Sequence, residues 1–221
     1  MSAHRYSDAE VAAVYRVIAE RRDMRHFLSD AVAPDVLSRI LHAAHQAPNV
    51  GLMQPWRFIR ITDTDMRKHI HQLVDEERIQ TAHAIGEHEN ADRMAEFLRL
   101  KVEGILECGE LLVATLCDKR DAHVFGRRTL PEMDVASVSC AIQNMWLAAR
   151  AEGLGMGWVS IFDPIKLGAL LHIPQDAKPI AVLCLGHVST FYKAPMLVET
   201  CWRQPRPLAD MVMENTWKPH A

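Results

Sequence analysis

The chain has 221 residues, a formal net charge of -3 and 49% apolar residues, which suits a single domain over residues 1–221. The mild acidity argues against nucleic-acid binding, and no apolar run reaches the ~18 residues of a membrane span. Since the first ten residues lack signal-peptide features and the five cysteines include no CxxC, we expect a cytoplasmic protein with reduced thiols.

The first predicted element is a helix over residues 8–21. Ser7 and Glu10 have the spacing of a capping box, and apolar residues follow at helical intervals: Val11, Val14, Tyr15 and Ile18. A second helix starts near Pro34. Residues 47–55, APNVGLMQP, read as a loop because proline, asparagine and glycine break any period, and residues 56–61 read as a strand.

Helices dominate the middle of the chain. Residues 64–105 are charged and mostly helical in pattern, with a break at HENADR, and residues 110–117 form an apolar strand. Residues 133–152 give the clearest helix, and Gly153 is its predicted C-cap. Five residues of that helix are predicted to face inward: Val135, Val138, Ile142, Met145 and Ala149.

Two more buried strands are predicted over residues 156–162 and 179–188, and the chain is irregular after Thr190. This tail, about residues 190–221, contains Trp202, Met211 and Trp217 and cannot bury them itself, so we expect it to wrap another surface, such as a second subunit. Few strands among many helices indicate an α+β fold, a central sheet covered by helices with an extended C-terminal arm. The glycine-rich phosphate motifs of NAD- and ATP-binding proteins do not occur.

A basic turn, RRDMR, occupies residues 21–25. Arg21, Arg22 and Arg25 can converge on one phosphate if the helix ends there, because the guanidinium fork matches phosphate oxygens. A solvated basic turn in which Asp23 pairs with an arginine explains the local sequence equally well.

Four other features of the sequence have both a structural and a functional interpretation. In GLGMGW a turn explains Gly153, whereas Gly155 and Gly157 favour close approach of a ligand to the backbone. HAAH, residues 42–45, favours a surface or helix-end role over zinc, since no cysteine or acidic partner accompanies it. Ser160 has no GxSxG around it, so on its predicted buried strand it bonds backbone or faces a ligand. Four methionines are interpreted as core residues: Met24, Met53, Met133 and Met156.

The longer blocks resemble a known family. RRDMR, AAHQAPNVGLMQPWRF, PEMDVASVSCAIQNMWLAARAEGLGMGWVSIF, LCLGHV and WRQPRPL occur in this order. Over about residues 8–215 they resemble the nitroreductase-like flavoprotein superfamily and, within it, the 5,6-dimethylbenzimidazole synthases of the BluB family.

The resemblance implies a nitroreductase-like fold with a mixed or antiparallel sheet. It also implies a homodimer with FMN at the subunit interface. The activity implied is the O2-dependent fragmentation of reduced FMN to 5,6-dimethylbenzimidazole, the lower ligand of vitamin B12, and erythrose 4-phosphate. A flavin reductase would supply the reduced FMN.

The resemblance also implies site residues. The phosphate of FMN would be bound by the basic turn and a C-terminal arginine: Arg21, Arg22 and Arg25, with Arg203 or Arg206. The ring system would lie between two further groups: Asn49, Gly51, Met53 and Gln54 on one side, and Gly155, Gly157 and Trp158 on the other. Asp23, where ordinary nitroreductases most often have serine, and Ser160 would be catalytic. Asp23 would carry protons near the ribityl chain, kept ionised by the arginines, and Ser160 would hydrogen-bond around the reactive edge. No metal is implied.

Residues 75–105 are the expected lid, because the chemistry requires bulk water to be kept out.

Three alternatives to this function stay open. An FMN-dependent NAD(P)H reductase of nitro compounds or quinones would share the fold, but Asp23 and Ser160 argue against it. The second is not an enzyme but a flavin-binding or storage dimer, or a partner protein built on the fold, and the presence of both residues argues against it. The third, a reductase of a cobalt corrinoid precursor, shares the vitamin B12 context but needs a corrinoid surface that the sequence does not show.

Overall fold

The structure, a computed structural model, describes residues 4–217. Along the chain the helices and strands are α1 Asp8–Glu20, α2 Pro34–His45, β1 Trp56–Ile61, α3 Thr64–His88, α4 Ala91–Arg99, β2 Glu110–Leu116, α5 Met133–Ala151, β3 Gly155–Val159, α6 Pro164–Leu170, β4 Lys178–Gly186 and α7 Met196–Glu199. The predicted helices and strands are found in the predicted order, including the break between α3 and α4, but α6 and the short α7 were not predicted. In the part of the chain described, no helix is both long enough and apolar enough to cross a membrane.

The four strands form one sheet in the order β1-β2-β4-β3. Each neighbouring pair is antiparallel. The α+β fold is therefore confirmed, and of the two predicted forms of the sheet the antiparallel one is found. Asp23 forms an isolated parallel bridge with Met156, so the basic turn lies along the open edge of β3.

Helices cover both faces of the sheet. On one face α2 and α5 pack Ile40, Ile142 and Met145 into the core. On the other face α3 and α6 contribute Ile70 and Leu167. Every residue of β2 is buried, as expected for the strand between these two layers.

The α5 prediction was wrong at one position. Val138, Ile142, Met145 and Ala149 are buried, but Val135 is 39% exposed. The buried side of the first turn is occupied instead by Asp134, which pairs with Arg120 and Arg127. A buried carboxylate thus takes the place where the apolar pattern expects valine.

The first helix has the predicted capping box but no buried residue. Its apolar side chains lie on the surface of this single chain, with Tyr15 69% exposed. The tail also has apolar side chains on the surface, since Met211 and Trp217 are exposed, whereas Trp202 is half-buried. Residues 218–221 of the predicted tail lie outside the described residues.

Candidate active site

A cavity of about 500 Å³ lies between the edge of β3, the basic turn, the α3–α4 region and the tail. Its polar wall consists of Arg21, Arg22, Asp23, Arg25 and Ser160, and the rest of its lining is apolar. Its size is within the ~300–1,000 Å³ typical of small-molecule sites. The fold therefore gathers the basic turn and the predicted catalytic pair around one space.

Backbone and indole hydrogen bonds attach the basic turn to β3. Helix α1 ends at Glu20, and the Met24 N–H then donates to the Met156 carbonyl at 3.0 Å. The Trp146 indole N–H donates to the carbonyls of Arg22 and Met156, at 3.1 and 3.0 Å. The position of the turn is thus set by the core helix α5 and by the sheet edge.

The glycines of β3 leave room for this turn. A Cβ on Gly157 would lie 2.3 Å from the Met24 carbonyl oxygen and 2.7 Å from Arg25 Nη1. A Cβ on Gly155 would lie 2.5 Å from Val188 Cγ1. The space beside these glycines is taken by protein atoms, and neither glycine lines the cavity of this chain. That Gly155 and Gly157 lie against the flavin stays a prediction. Gly153, with φ of +79°, is the predicted helix-ending turn residue.

The three arginines are held in different ways. Arg22 donates to the carbonyls of Ala19, Arg21 and Lys193 at 2.7, 2.8 and 2.9 Å. Arg25 donates to Asp23 Oδ2 at 2.6 Å and to the Trp158 carbonyl at 2.9 Å. The Arg21 guanidinium stacks over the Trp146 ring, 4.5 Å from its centroid. A freely solvated turn is excluded, because Arg25 is only 8% exposed, but the expected pairing of Asp23 with an arginine is present.

Positive charge and donor capacity remain in this cluster. Within residues 4–217, the buried Nε of Arg22 and the buried Nε and Nη1 of Arg25 have no hydrogen-bond partner. Three guanidinium groups against the one carboxylate of Asp23 leave two positive charges. A phosphate monoester carries about -1.5 to -2 at pH 7 and accepts forked arginine bonds, so it matches this surplus.

Asp23 sits between Trp158 and Arg25. Its Oδ1 accepts the Trp158 N–H at 3.0 Å, while Oδ2 accepts from Arg25. Burial raises the pKa of this carboxyl above its usual 3.8, and Arg25, the Trp158 N–H and Arg21 oppose that shift only in part. The arginines were expected to dominate, but desolvation outweighs them. An acid–base group is most effective with a pKa nearer to neutral, and the shift is in that direction.

Ser160 was predicted on a buried strand, and this is corrected. Strand β3 ends at Val159, one residue earlier, so Ser160 lies just beyond the sheet edge and is exposed. It lines the cavity together with Asp23, so its hydroxyl is available to a bound molecule.

The loop predicted to contact the flavin ring does not line the cavity of this chain. It is a strained loop, with positive φ at Leu52 and Gln54 as well as at Gly51. The Gln54 N–H donates to Asn49 Oδ1 at 2.8 Å, and Met53 is buried. Leu52, at the loop tip, is 78% exposed.

Arg203 and Arg206 are exposed and do not line the cavity either. The neighbouring Trp202 does, and it is a site residue that the sequence interpretation placed only in the tail. Phe97 and Ile85, from the predicted lid segment, also line the cavity and were not named. An isolated tryptophan among prolines and arginines was the one available signal for the tail's contribution.

The two histidines of HAAH are exposed, and His45 Nδ1 accepts the Trp56 indole N–H at 3.3 Å. The predicted helix-end position is confirmed for His45, the last residue of α2. Within residues 4–217, no group of three histidine, cysteine or carboxylate side chains is arranged to hold a metal ion. Met24, Met53 and Met156 are buried, as predicted for core residues, while Met133 is half-buried.

The family model described as "Nitroreductase family" matches residues 18–187. The chain belongs to the nitroreductase family. It is 40% identical over 190 residues to the 5,6-dimethylbenzimidazole synthase of Rhodospirillum rubrum, covering 85% of this chain and 87% of that protein. The predicted resemblance is thereby confirmed.

Solved structures show the same nitroreductase-family fold. A BluB-like flavoprotein from Clostridium difficile 630 aligns with a TM-score of 0.69 at 16% identity, over 92% of this chain and 99% of that one. An iodotyrosine deiodinase bound to FMN and 3-iodo-L-tyrosine aligns with a TM-score of 0.71 at 20% identity, over 92% and 100%. The nitroreductase-like fold expected from the sequence is confirmed.

Proposed function

We propose that the protein is a 5,6-dimethylbenzimidazole synthase, which uses O2 to fragment reduced FMN into 5,6-dimethylbenzimidazole and erythrose 4-phosphate. The observation that carries the proposal is Asp23, a partly desolvated carboxyl anchored beside three arginines. The 40% identity to a synthase over most of both chains supports the same assignment.

The phosphate of FMN would be held by Arg21, Arg22 and Arg25. Their two surplus positive charges and the unpartnered buried donors of Arg22 and Arg25 support this, since buried guanidinium groups without partners cost free energy that an anion offsets. Arg22 is largely committed to carbonyls, so its contribution is mainly electrostatic. Arg203 or Arg206 would add a further contact if the tail closes over the bound molecule.

The ring system would occupy the apolar part of the cavity. Trp158, Val159 and Ile161 line it near the sheet edge, and Phe97, Leu100 and Val102 line it from the 75–105 segment. An apolar wall excludes water and suits an aromatic ring system. The bound flavin supplies the reducing electrons and is itself the substrate. This chain's residues orient it and keep water out.

Asp23 and Ser160 would move and hold protons. One oxygen of Asp23 is fixed by the Trp158 N–H and the other by Arg25, so the carboxyl cannot rotate away from the cavity wall. Its raised pKa makes proton uptake and release easier than for a free carboxylate. Ser160, exposed to the cavity, would donate to or accept from the flavin's polar edge.

A second copy of the chain would complete the site. Two exposed apolar surfaces support a homodimer: the face of α1 around Tyr15 and Ile18, and the loop tip at Leu52. In a dimer, Asn49, Gly51, Met53 and Gln54 of one copy would reach the cavity of the other, which accounts for their absence from the cavity of their own chain. Of the tail predicted to wrap the second copy, residues 193–202 contact their own chain. The part that would reach the second copy therefore starts at about residue 203.

The electron supply would come from a separate flavin reductase in the cytoplasm. All five cysteines are free thiols, which supports a reducing compartment.

The test supplies the protein with FMN, NADH and a flavin reductase in air, followed by mass analysis. We expect 5,6-dimethylbenzimidazole from the wild type and at least ~100-fold less from Asp23→Asn, which is the usual range for loss of a proton carrier. The FMN affinity of the variant should stay within about threefold of wild type, because the arginines remain. No benzimidazole, together with fast NADH oxidation by electron acceptors when the added flavin reductase is left out, would instead indicate a nitro or quinone reductase.

A further inference from the structure

Two segments distant in sequence meet at one wall of the cavity. The Arg93 guanidinium of α4 stacks on the Trp202 ring of the tail, 3.6 Å from its centroid. The Trp202 ring also lies 6.1 Å from the ring of Phe97, and both aromatic side chains line the cavity. Arg93 and Trp202 therefore join α4 to the tail directly over the candidate site.

The orientation of Arg93 is fixed by two nearby carboxylates, Glu89 at the end of α3 and Glu96 in α4. Nε donates to Glu89 at 3.1 Å and Nη1 to Glu96 at 2.6 Å. Nη2 donates to the Trp202 carbonyl at 3.3 Å, so the same guanidinium binds both the ring and the backbone of the tail residue. With the side chain 25% exposed, the cation is partly desolvated, and this strengthens its attraction to the ring.

The tail segment leading to Trp202 is also fixed at its other end. The Lys193 carbonyl accepts from Arg22, in the basic turn, at 2.9 Å. Between these two attachments Pro195, Met196 and Leu197 line the cavity. Residues 193–202 are called the strap below, since they cross the cavity from the basic turn to α4.

We propose that Arg93 and Trp202 are positioning residues that latch the strap to α4 and keep the cavity closed while reduced flavin meets O2. The inference rests on the proposed function and adds the groups that determine its product. When the latch opens, water enters, and reduced FMN passes two electrons and two protons to O2, giving hydrogen peroxide and intact oxidised FMN. When the latch is closed, the flavin is fragmented. The ratio of benzimidazole to peroxide therefore measures the latch.

The first experiment measures amide hydrogen exchange in the full-length protein without flavin. Arg93→Ala should speed exchange in the strap, and Trp202→Leu should speed exchange in α4, each by roughly tenfold, the range of a partly desolvated cation–π contact. Arg99→Ala is the matched control, because it removes an exposed arginine from the same helix and should change neither segment. If Arg93→Ala speeds exchange only in α4 and Trp202→Leu only in the strap, the two segments are not coupled and the latch is rejected.

The second experiment admits air to the protein loaded anaerobically with reduced FMN and measures both products. Arg93→Ala and Trp202→Leu should each lower the ratio of benzimidazole to peroxide about tenfold. The affinity for FMN should fall less than tenfold, because the arginines of the basic turn remain. Arg99→Ala should match the wild type. An unchanged ratio in both latch variants would refute the inference even if exchange is coupled.

The two proposals fail differently. If the wild type makes no benzimidazole, the proposed function is wrong, and the exchange experiment still decides whether the strap and α4 are coupled. If the wild type makes benzimidazole but exchange is uncoupled or the ratio is unchanged, the latch alone is wrong.

Discussion

Gly157 gives the sharpest test of how the site is built. A Cβ at this position would lie 2.3 Å from the Met24 carbonyl oxygen, far inside contact distance, and 2.7 Å from Arg25 Nη1. The carbonyl belongs to the backbone, so it cannot rotate away as a side-chain end can. Gly157→Ala therefore displaces the basic turn from β3.

The displacement has a calculable cost. It breaks the Met24–Met156 backbone bond and the Asp23–Trp158 bond, worth about 1 kcal/mol each, and residual overpacking adds about 1 kcal/mol. A total of ~3 kcal/mol lowers the Tm of a chain this long by roughly 6–12 °C. Because the turn carries the phosphate arginines, FMN affinity should fall at least tenfold.

Thermal unfolding followed by circular dichroism and an FMN titration measure these two effects. Gly168→Ala is the matched control, because a Cβ there meets nothing within 4 Å in helix α6. Alanine inside a helix is favoured over glycine by about 0.5–1 kcal/mol, so the control should melt slightly higher than wild type. A Gly157→Ala protein that melts within ~2 °C of wild type and binds FMN normally would refute this account of the glycines.

Four further predictions concern pH dependence, stability and assembly. Because the pKa of Asp23 is raised in the folded state, the rate of benzimidazole formation should decline as pH falls through a value above 3.8. Asp23→Asn should lack this acidic decline. A wild-type rate that stays constant down to about pH 4 would contradict the role of Asp23 as a base. The same shift means that the stabilisation contributed by protonated Asp23 is fully present below pH ~3.8 and is lost as pH rises through the folded pKa. The free energy of unfolding of Asp23→Asn, measured over a series of pH values, should lack this pH-dependent loss. Asp134→Ala leaves the buried Arg127 without its carboxylate partner, which should lower the free energy of unfolding by ~3–5 kcal/mol and Tm by at least ~6 °C. A change in Tm below about 3 °C in thermal scans would show that the Asp134–Arg127 ion pair does not stabilise the fold. Ile18→Glu should convert a two-chain mass to a one-chain mass in sedimentation, and an unchanged mass would show that α1 is not the interface.

Local signals in the sequence predicted most of the fold. The capping box at Ser7 and the proline at the start of α2 mark helix starts because their effects act within one turn. Strand β1 was predicted at its exact bounds, since a loop with two prolines precedes it. These features need no knowledge of distant parts of the chain.

The errors occur where a distant segment decides the environment. Gly155 and Gly157 indicated close approach, but the sequence pattern did not reveal that the approaching groups are Val188 and the basic turn. Val135 had the spacing of a core residue, yet a buried ion pair occupies that side of α5. Ser160 was misplaced because the strand ends three residues earlier than predicted, and Trp202 lies at the cavity in contact with Arg93 and Phe97 of α4.

The site could be recognised in part from residue types. Three arginines and an aspartate in one turn left an anion site and a solvated turn equally open, and the family resemblance favoured the anion site. The structure places all four residues around one cavity. The direction of the Asp23 pKa shift could not be predicted, because it depends on how far the fold removes that carboxyl from water.

The central claim is that this protein consumes its flavin. The most direct measurement is a single turnover: the protein is loaded anaerobically with one equivalent of reduced FMN, exposed to air, and its products are quantified by mass. The account predicts one 5,6-dimethylbenzimidazole and one erythrose 4-phosphate for each FMN lost. Recovery of all the flavin as intact oxidised FMN, with peroxide and no benzimidazole, would contradict it.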